Sequence, residues 1–187
     1  MEGSCDQVVA VVKQLVEGGN RTVRGAIDWD QVNRAADQVI VLGENERYSI
    51  ENYLLDPLLI ALLLIREKLQ DPEDLGFSST FRYIEMHNQP SSMLQSVADH
   101  MAQLLNQSAR SGTTSYKYIG GDEIQIPTTI ALMQGHDLEA LIKRTFPPLR
   151  RYQHEPDLKL AVILKVLDDF PELIPTVIVD LFRKLQE

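Results

Sequence analysis

Eight consecutive apolar residues, Leu58–Ile65, constrain this chain more than any other feature. Pro57 stands just before them, suited to the first turn of a helix, and the helix is expected to run from Leu58 to about Leu69. A helix that is apolar on every side has no face to give to water, so its place is the centre of a packed assembly. Eight residues fall far short of the ~20 that span a bilayer, so no membrane partner is expected. A chain of 187 residues, 44% hydrophobic and 24% charged, is the size of one domain and apolar enough to close a core around that helix.

The first forty residues predict a helix, a strand, a loop and a second strand. Val8, Val9, Val11, Val12, Leu15 and Val16 form a helical apolar face that Gly18-Gly19-Asn20 ends. Thr22–Ile27 reads as a short strand running into Asp28-Trp29-Asp30, and Val39–Leu42 reads as a strand covered on both faces because it does not alternate. Ser49 can cap a helix that begins at Ile50. From Asp71 to Pro90 no period is legible. An amphipathic helix then runs from Ser91 or Ser92 to about Gln107. Alternation on both sides of Gly120-Gly121-Asp122 predicts a β-hairpin over 115–127. Helices are expected at Leu138–Thr145 (capped by Asp137), Asp157–Asp168 and Thr176–Gln186. The fold class expected is α/β, a small sheet with a mostly helical C-terminal part. Three segments follow, 1–60, 61–149 and 150–187, read as one compact unit.

The net charge of −9 excludes a basic surface covering the whole molecule. Nucleic acid could be met only through a local patch, such as Lys143-Arg144 and Arg150-Arg151, or through a bridging metal ion. Cys5 is the only cysteine, which excludes an internal disulfide and a cysteine-based zinc cluster and fits a reducing compartment. The N-terminal MEGSCDQ lacks the basic-then-apolar pattern of a signal peptide, so a cytoplasmic location is expected. The sequence contains no G-x-x-x-x-G-K-[ST], G-x-G-x-x-G or G-x-S-x-G motif, which argues against ATP hydrolysis or serine hydrolysis by this chain alone.

Asp28 and Asp30 are the strongest candidates for chemistry. Two apart on a strand, they would point to one side with Trp29 on the other. Two hard oxygen donors at a strand's carboxyl end suit Mg²⁺ or Mn²⁺, and a turn that uses Asp as a local cap is the plain alternative. Glu44, Glu46 and Glu51 follow the next strand and could converge on the same end. Glu51 at a helix start is also favoured there by the helix dipole alone. His136, between Gly135 and Asp137, could act as a general base, contact a phosphate, or simply occupy a helix start.

The strings Gly25-Ala26-Ile27-Asp28-Trp29-Asp30, Val39–Leu42 and Tyr48-Ser49-Ile50-Glu51-Asn52-Tyr53-Leu54-Leu55-Asp56-Pro57 together carry a resemblance. They resemble the Toprim-type C-terminal region of OLD-like (overcoming lysogenization defect) proteins and related AAA/ABC-type ATPases, and Met133-Gln134-Gly135-His136-Asp137-Leu138 looks like a later element of that region. The resemblance implies a metal-dependent nuclease acting on nucleic acid phosphodiesters and coupled to an ATPase domain or subunit. It makes Asp28, Asp30 and Glu51 the ligands of Mg²⁺ or Mn²⁺ and His136 the catalytic candidate. It also asks for a glutamate in an E-G-x-x-D context, which Glu2-Gly3-Ser4-Cys5-Asp6 matches in letters. Only 25 residues separate Glu2 from Asp28, too few for a complete Toprim, so the expectation is the second half of that fold, inactive alone. The rival reading is a non-catalytic interaction module that uses the apolar helix 54–69, and a homo-oligomer is left open.

Overall fold

The computed structural model describes residues 4–36, 38–107 and 112–187. Helix α1 (Cys5–Glu17) starts on a reciprocal cap, in which Ser4 Oγ accepts from the Gln7 amide while the Gln7 side chain accepts from the Ser4 amide. Strand β1 (Gly25–Asp28) pairs in parallel with β2 (Val39–Leu42), Gly25 opposite Val39 and Asp28 opposite Leu42. β1 is shorter than the Thr22–Ile27 strand read from sequence, because Asn20 Oδ1 holds the amides of Thr22 and Val23 in a turn. Val8 and Val12 of α1 lie on Gly25, where a Cβ would meet both at 2.9 Å. Cys5 lies at the other end of the strand, beside Asp30. So α1 runs antiparallel to β1, and its N-terminus stands at the carboxyl ends of the strands.

A one-turn helix, α2 (Glu51–Leu54), leads to α3 (Pro57–Arg66). Asp56 caps α3 by accepting from the amides of Leu58 (2.8 Å) and Leu59 (3.4 Å). Pro57 through Leu64 are all buried, as a helix without a polar face requires. Leu54–Leu64 are buried within the chain, so of the helix 54–69 that the interaction-module reading would use, only 65–69 reach the surface. Two 3₁₀ turns, Pro72–Leu75 and Tyr83–Asn88, occupy the stretch that showed no period. Leu75, Phe77, Phe81 and Met86, from these turns and the stretch between them, are buried one by one against the core, while Ile84 stays exposed.

Helix α4 (Ser91–Leu104) packs along α3 and leads to the hairpin of β3 (Thr113–Lys117) and β4 (Glu123–Pro127). Ile119 and Gly120 are not part of β3, because their amides donate to Ile174 and Glu172 instead. A short helix α5 (Thr128–Ala131) precedes α6 (Gly135–Thr145), which starts earlier than read from sequence. Gln134 is its cap residue and Asp137 falls in the first turn. Helix α7 (Asp157–Ala161) continues as a wide π turn, Val162–Leu167, and α8 (Thr176–Gln186) closes the chain over β2. One apolar cluster runs from Leu42 to Leu173, so the three sequence segments share a core. The architecture is mixed α/β, with two small two-stranded sheets on a mainly helical body. Among the described residues no helix is long and apolar enough to cross a membrane.

Candidate functional site

Asp28, Asp30, Glu51 and His136 line one cleft of about 220 Å³, with Tyr48, Ser49, Gln134 and Gly135 completing its wall. It opens at the carboxyl end of the parallel strands, where open α/β sheets place their ligands. Three chain segments meet there, and backbone bonds fix them. The Asp30 amide donates to Tyr48 O (2.9 Å) and the Tyr48 amide to Ala131 O (3.0 Å). Asn52, wholly buried, donates to Ile130 O and Met133 O (both 2.9 Å) and so holds the start of α6 against α2. The string Ile50-Glu51-Asn52-Tyr53 thus supplies one carboxylate to the cleft, one amide clamp and one core ring.

Asp28 and Asp30 both reach the cleft, but not by strand alternation. β1 ends at Asp28, and Asp30 has φ +48°, a left-handed turn residue. Asp28 Oδ1 accepts from the Ile50 amide (2.8 Å). Asp30 Oδ2 takes the Cys5 thiol (3.7 Å) and the Asn33 amide (3.5 Å). Neither carboxylate has an ion-pair partner among the described residues. Burial, followed by repulsion from Glu51 and Asp30, outweighs the Ile50 bond and pushes the Asp28 carboxyl up to about 6.

Glu51 is in a different state. Burial works against its charge, but bonds from Ser49 and its own amide and the Lys159 ammonium at 3.3 Å bring it below the ordinary carboxylate range. Lys159 also reaches Glu139 (3.6 Å), which pairs with Lys143 (2.6 Å). Gly135 is required here, since a Cβ would lie 2.9 Å from three Glu51 side-chain atoms. His136 stands on the rim, two-thirds exposed, 3.8 Å from Glu155. Among the described residues no side chain caps the amides that begin α6 beside the carboxylates.

The sequence does not single out Lys159, and it gives Gly135 only as a letter of the 133–138 string, without its role against Glu51. Lys159 lies 108 positions from Glu51, and no local pattern ties the two. Glu44 and Glu46 do not join the cleft, since Glu44 faces Arg34 (4.0 Å) and Glu46 lines a separate cleft between β2 and α8. Three of the four residues of the basic cluster are engaged internally: Lys143 by Glu139 and Tyr152 O, Arg150 by Lys143 O, and Arg151 by Glu67. Glu2 lies outside the described residues. Among the described residues, no group of three or more His, Cys, Asp and Glu side chains is arranged to hold a metal ion. No family model, curated protein or solved structure matches the chain.

Proposed function

We propose that this chain is the metal-binding part of a Toprim-like, ATPase-coupled nuclease that acts on nucleic acid phosphodiesters in the cytoplasm and is inactive alone. The supporting observation is the convergence of Asp28, Asp30, Glu51 and His136 at the carboxyl end of a parallel strand pair. The donor chemistry fits Mg²⁺ or Mn²⁺ at two positions: Asp28 and Asp30 are hard oxygen donors without a cationic partner, and Asp28 is held in mutual repulsion with its neighbours. Glu51 is the third ligand or supports the other two from behind, and Lys159 now occupies one of its oxygens. When bound, such an ion activates water and steadies the leaving oxygen. His136, at the rim, contacts a phosphate or takes a proton. Two carboxylates and a lysine-bound third make an incomplete donor set, and the remaining donors come from Glu2 or from the ATPase partner.

Calorimetric titration of Mn²⁺ tests the reading. Wild type gives binding heat that the Asp28→Asn, Asp30→Asn double variant lacks, and equal heats from both remove the metal site. Since Asp28 gains its proton near pH 6, affinity falls as pH drops from 7 to 5. Supercoiled plasmid with Mn²⁺ stays intact in the presence of the chain alone. Nicking that the double variant loses shows instead that the donor set is complete, and Glu2→Gln then identifies whether Glu2 supplies the missing ligand.

A further inference from the structure

We propose that β1 pairs antiparallel with β1 of a second copy of this chain, giving a two-fold dimer across the free edge of the parallel sheet. The inference does not rest on the metal reading. Gly25 donates to Gln38 O (2.8 Å) toward β2, so ladder alternation turns the N–H and C=O of Ala26 outward. Neither has a partner among the described residues. With Ala26 opposite Ala26 of the second copy, each satisfies the other across the two-fold. An unpaired edge of this kind recruits another strand, and one self-complementary patch is enough for a two-fold contact.

Charge selects the second copy and the antiparallel direction. Arg24, just before β1, bonds only to the backbone carbonyls of Arg21 and Val23 and has no ion pair among the described residues. Asp28, at the other end of the strand, has none either. The register centred on Ala26 sets Arg24 of each copy opposite Asp28 of the other, so opposite charges face each other twice across the seam while the Asp28 carboxylate keeps its bond to the Ile50 amide inside the cleft. A parallel pairing would set like ends together.

The flanks agree with the edge. A groove of about 490 Å³ lies between α1 and the edge, walled by Val8, Val11 and Val23. Val11 is 47% exposed and Leu15 is 42% exposed one turn further along α1. A two-fold axis perpendicular to the sheet keeps both α1 helices on one face, where these two residues meet their equivalents.

Sedimentation velocity on the full chain tests the dimer. Wild type shows a monomer–dimer equilibrium, and Arg24→Glu or Val11→Lys raises the dissociation constant at least ~10-fold, equivalent to about 1.4 kcal/mol. Val11 is exposed and Arg24 half-buried, and circular dichroism serves as the folding control. The register is read separately: Ala26→Cys in a Cys5→Ser background oxidises to a disulfide-linked dimer, whereas Val32→Cys, 73% exposed and away from the edge, does not. A chain that stays monomeric at ~100 μM, roughly −5.5 kcal/mol, overturns the proposal. So does a dimer indifferent to both substitutions, or an Ala26→Cys variant that fails to cross-link.

Discussion

The α1–β1–β2 layer and the body around α3 are built to different standards. In α3, eight of ten residues are buried, and the apolar cluster they join runs from Leu42 to Leu173. In α1, Val12 is the only buried residue, and its cluster holds Val12, Ile27 and Val39 with four partly buried neighbours. Local opening costs least where few apolar contacts must be broken, so the thin layer is the part that opens first. The cleft lies on the seam between the two: Asp28 and Asp30 come from the layer, Glu51 and His136 from the body. A site so divided is sensitive to whatever steadies the layer, including a bound ion or a second chain on its edge.

The contrast breaks most sharply at Arg47. Its side chain is 1% exposed, stacked 4.4 Å over the Tyr116 ring, and both terminal nitrogens lack a hydrogen-bond partner among the described residues. Asp56, fully buried, is pushed up to about 6 by burial even with Arg47 opposing the shift. Arg47→Met removes the cation that opposes that shift, leaves the carboxylate to the Leu58 and Leu59 amides and the Tyr118 hydroxyl, and costs about 3 kcal/mol in urea unfolding at pH 7. Adding Asp56→Asn, which keeps the cap on α3, recovers part of the loss. Strictly additive costs would show that the two groups do not interact.

Truncations compare the two regions directly. Leu62→Ala empties space at the centre of the core and costs about 3 kcal/mol, whereas Val12→Ala, in a layer that can settle, costs about 1 kcal/mol. Hydrogen exchange sharpens the same comparison: amides of β1 and β2 exchange through a smaller opening free energy than those of α3. Equal protection would mean that layer and body unfold as one unit.

What was legible in the sequence follows from range. The apolar run 58–65, the β1–β2 pair and the hairpin each carry a local period or punctuation, and the structure contains all three. The 3₁₀ turns within 72–88 bury single side chains without a period, so no pattern exposed them. Asp28, Asp30, Glu51 and His136 could be named because each sits at an element boundary. Lys159, which joins Ser49 and the Glu51 amide in favouring the charged form of Glu51, could not, because that contact exists only once α7 packs against α2. The same limit hid Arg47, which reads as part of a polar loop between Glu46 and Tyr48 and lies instead between two tyrosine rings.

The smallest expected effect is the most specific to the seam. The Asp28 carboxyl moves from an ordinary 3.8 to about 6 in the folded chain, mainly through burial. Between those values the folded chain holds a proton that the unfolded chain has released, so stability falls as pH rises through that window. Above it, the ionised carboxylate remains as a standing cost. Asp28→Asn removes the charge and keeps the oxygen that accepts the Ile50 amide, so in EDTA at pH 7 the variant melts higher, by about 1 kcal/mol after allowance for the solvent that reaches the cleft. At pH 4 the difference closes, because wild type is then protonated as well. In Mn²⁺ the order reverses, since only wild type gains binding free energy from the ion. A variant that melts lower than wild type in EDTA at pH 7 would show Asp28 to be a charged cap for the α2 turn, its bond to Ile50 outweighing the repulsion from Glu51 and Asp30.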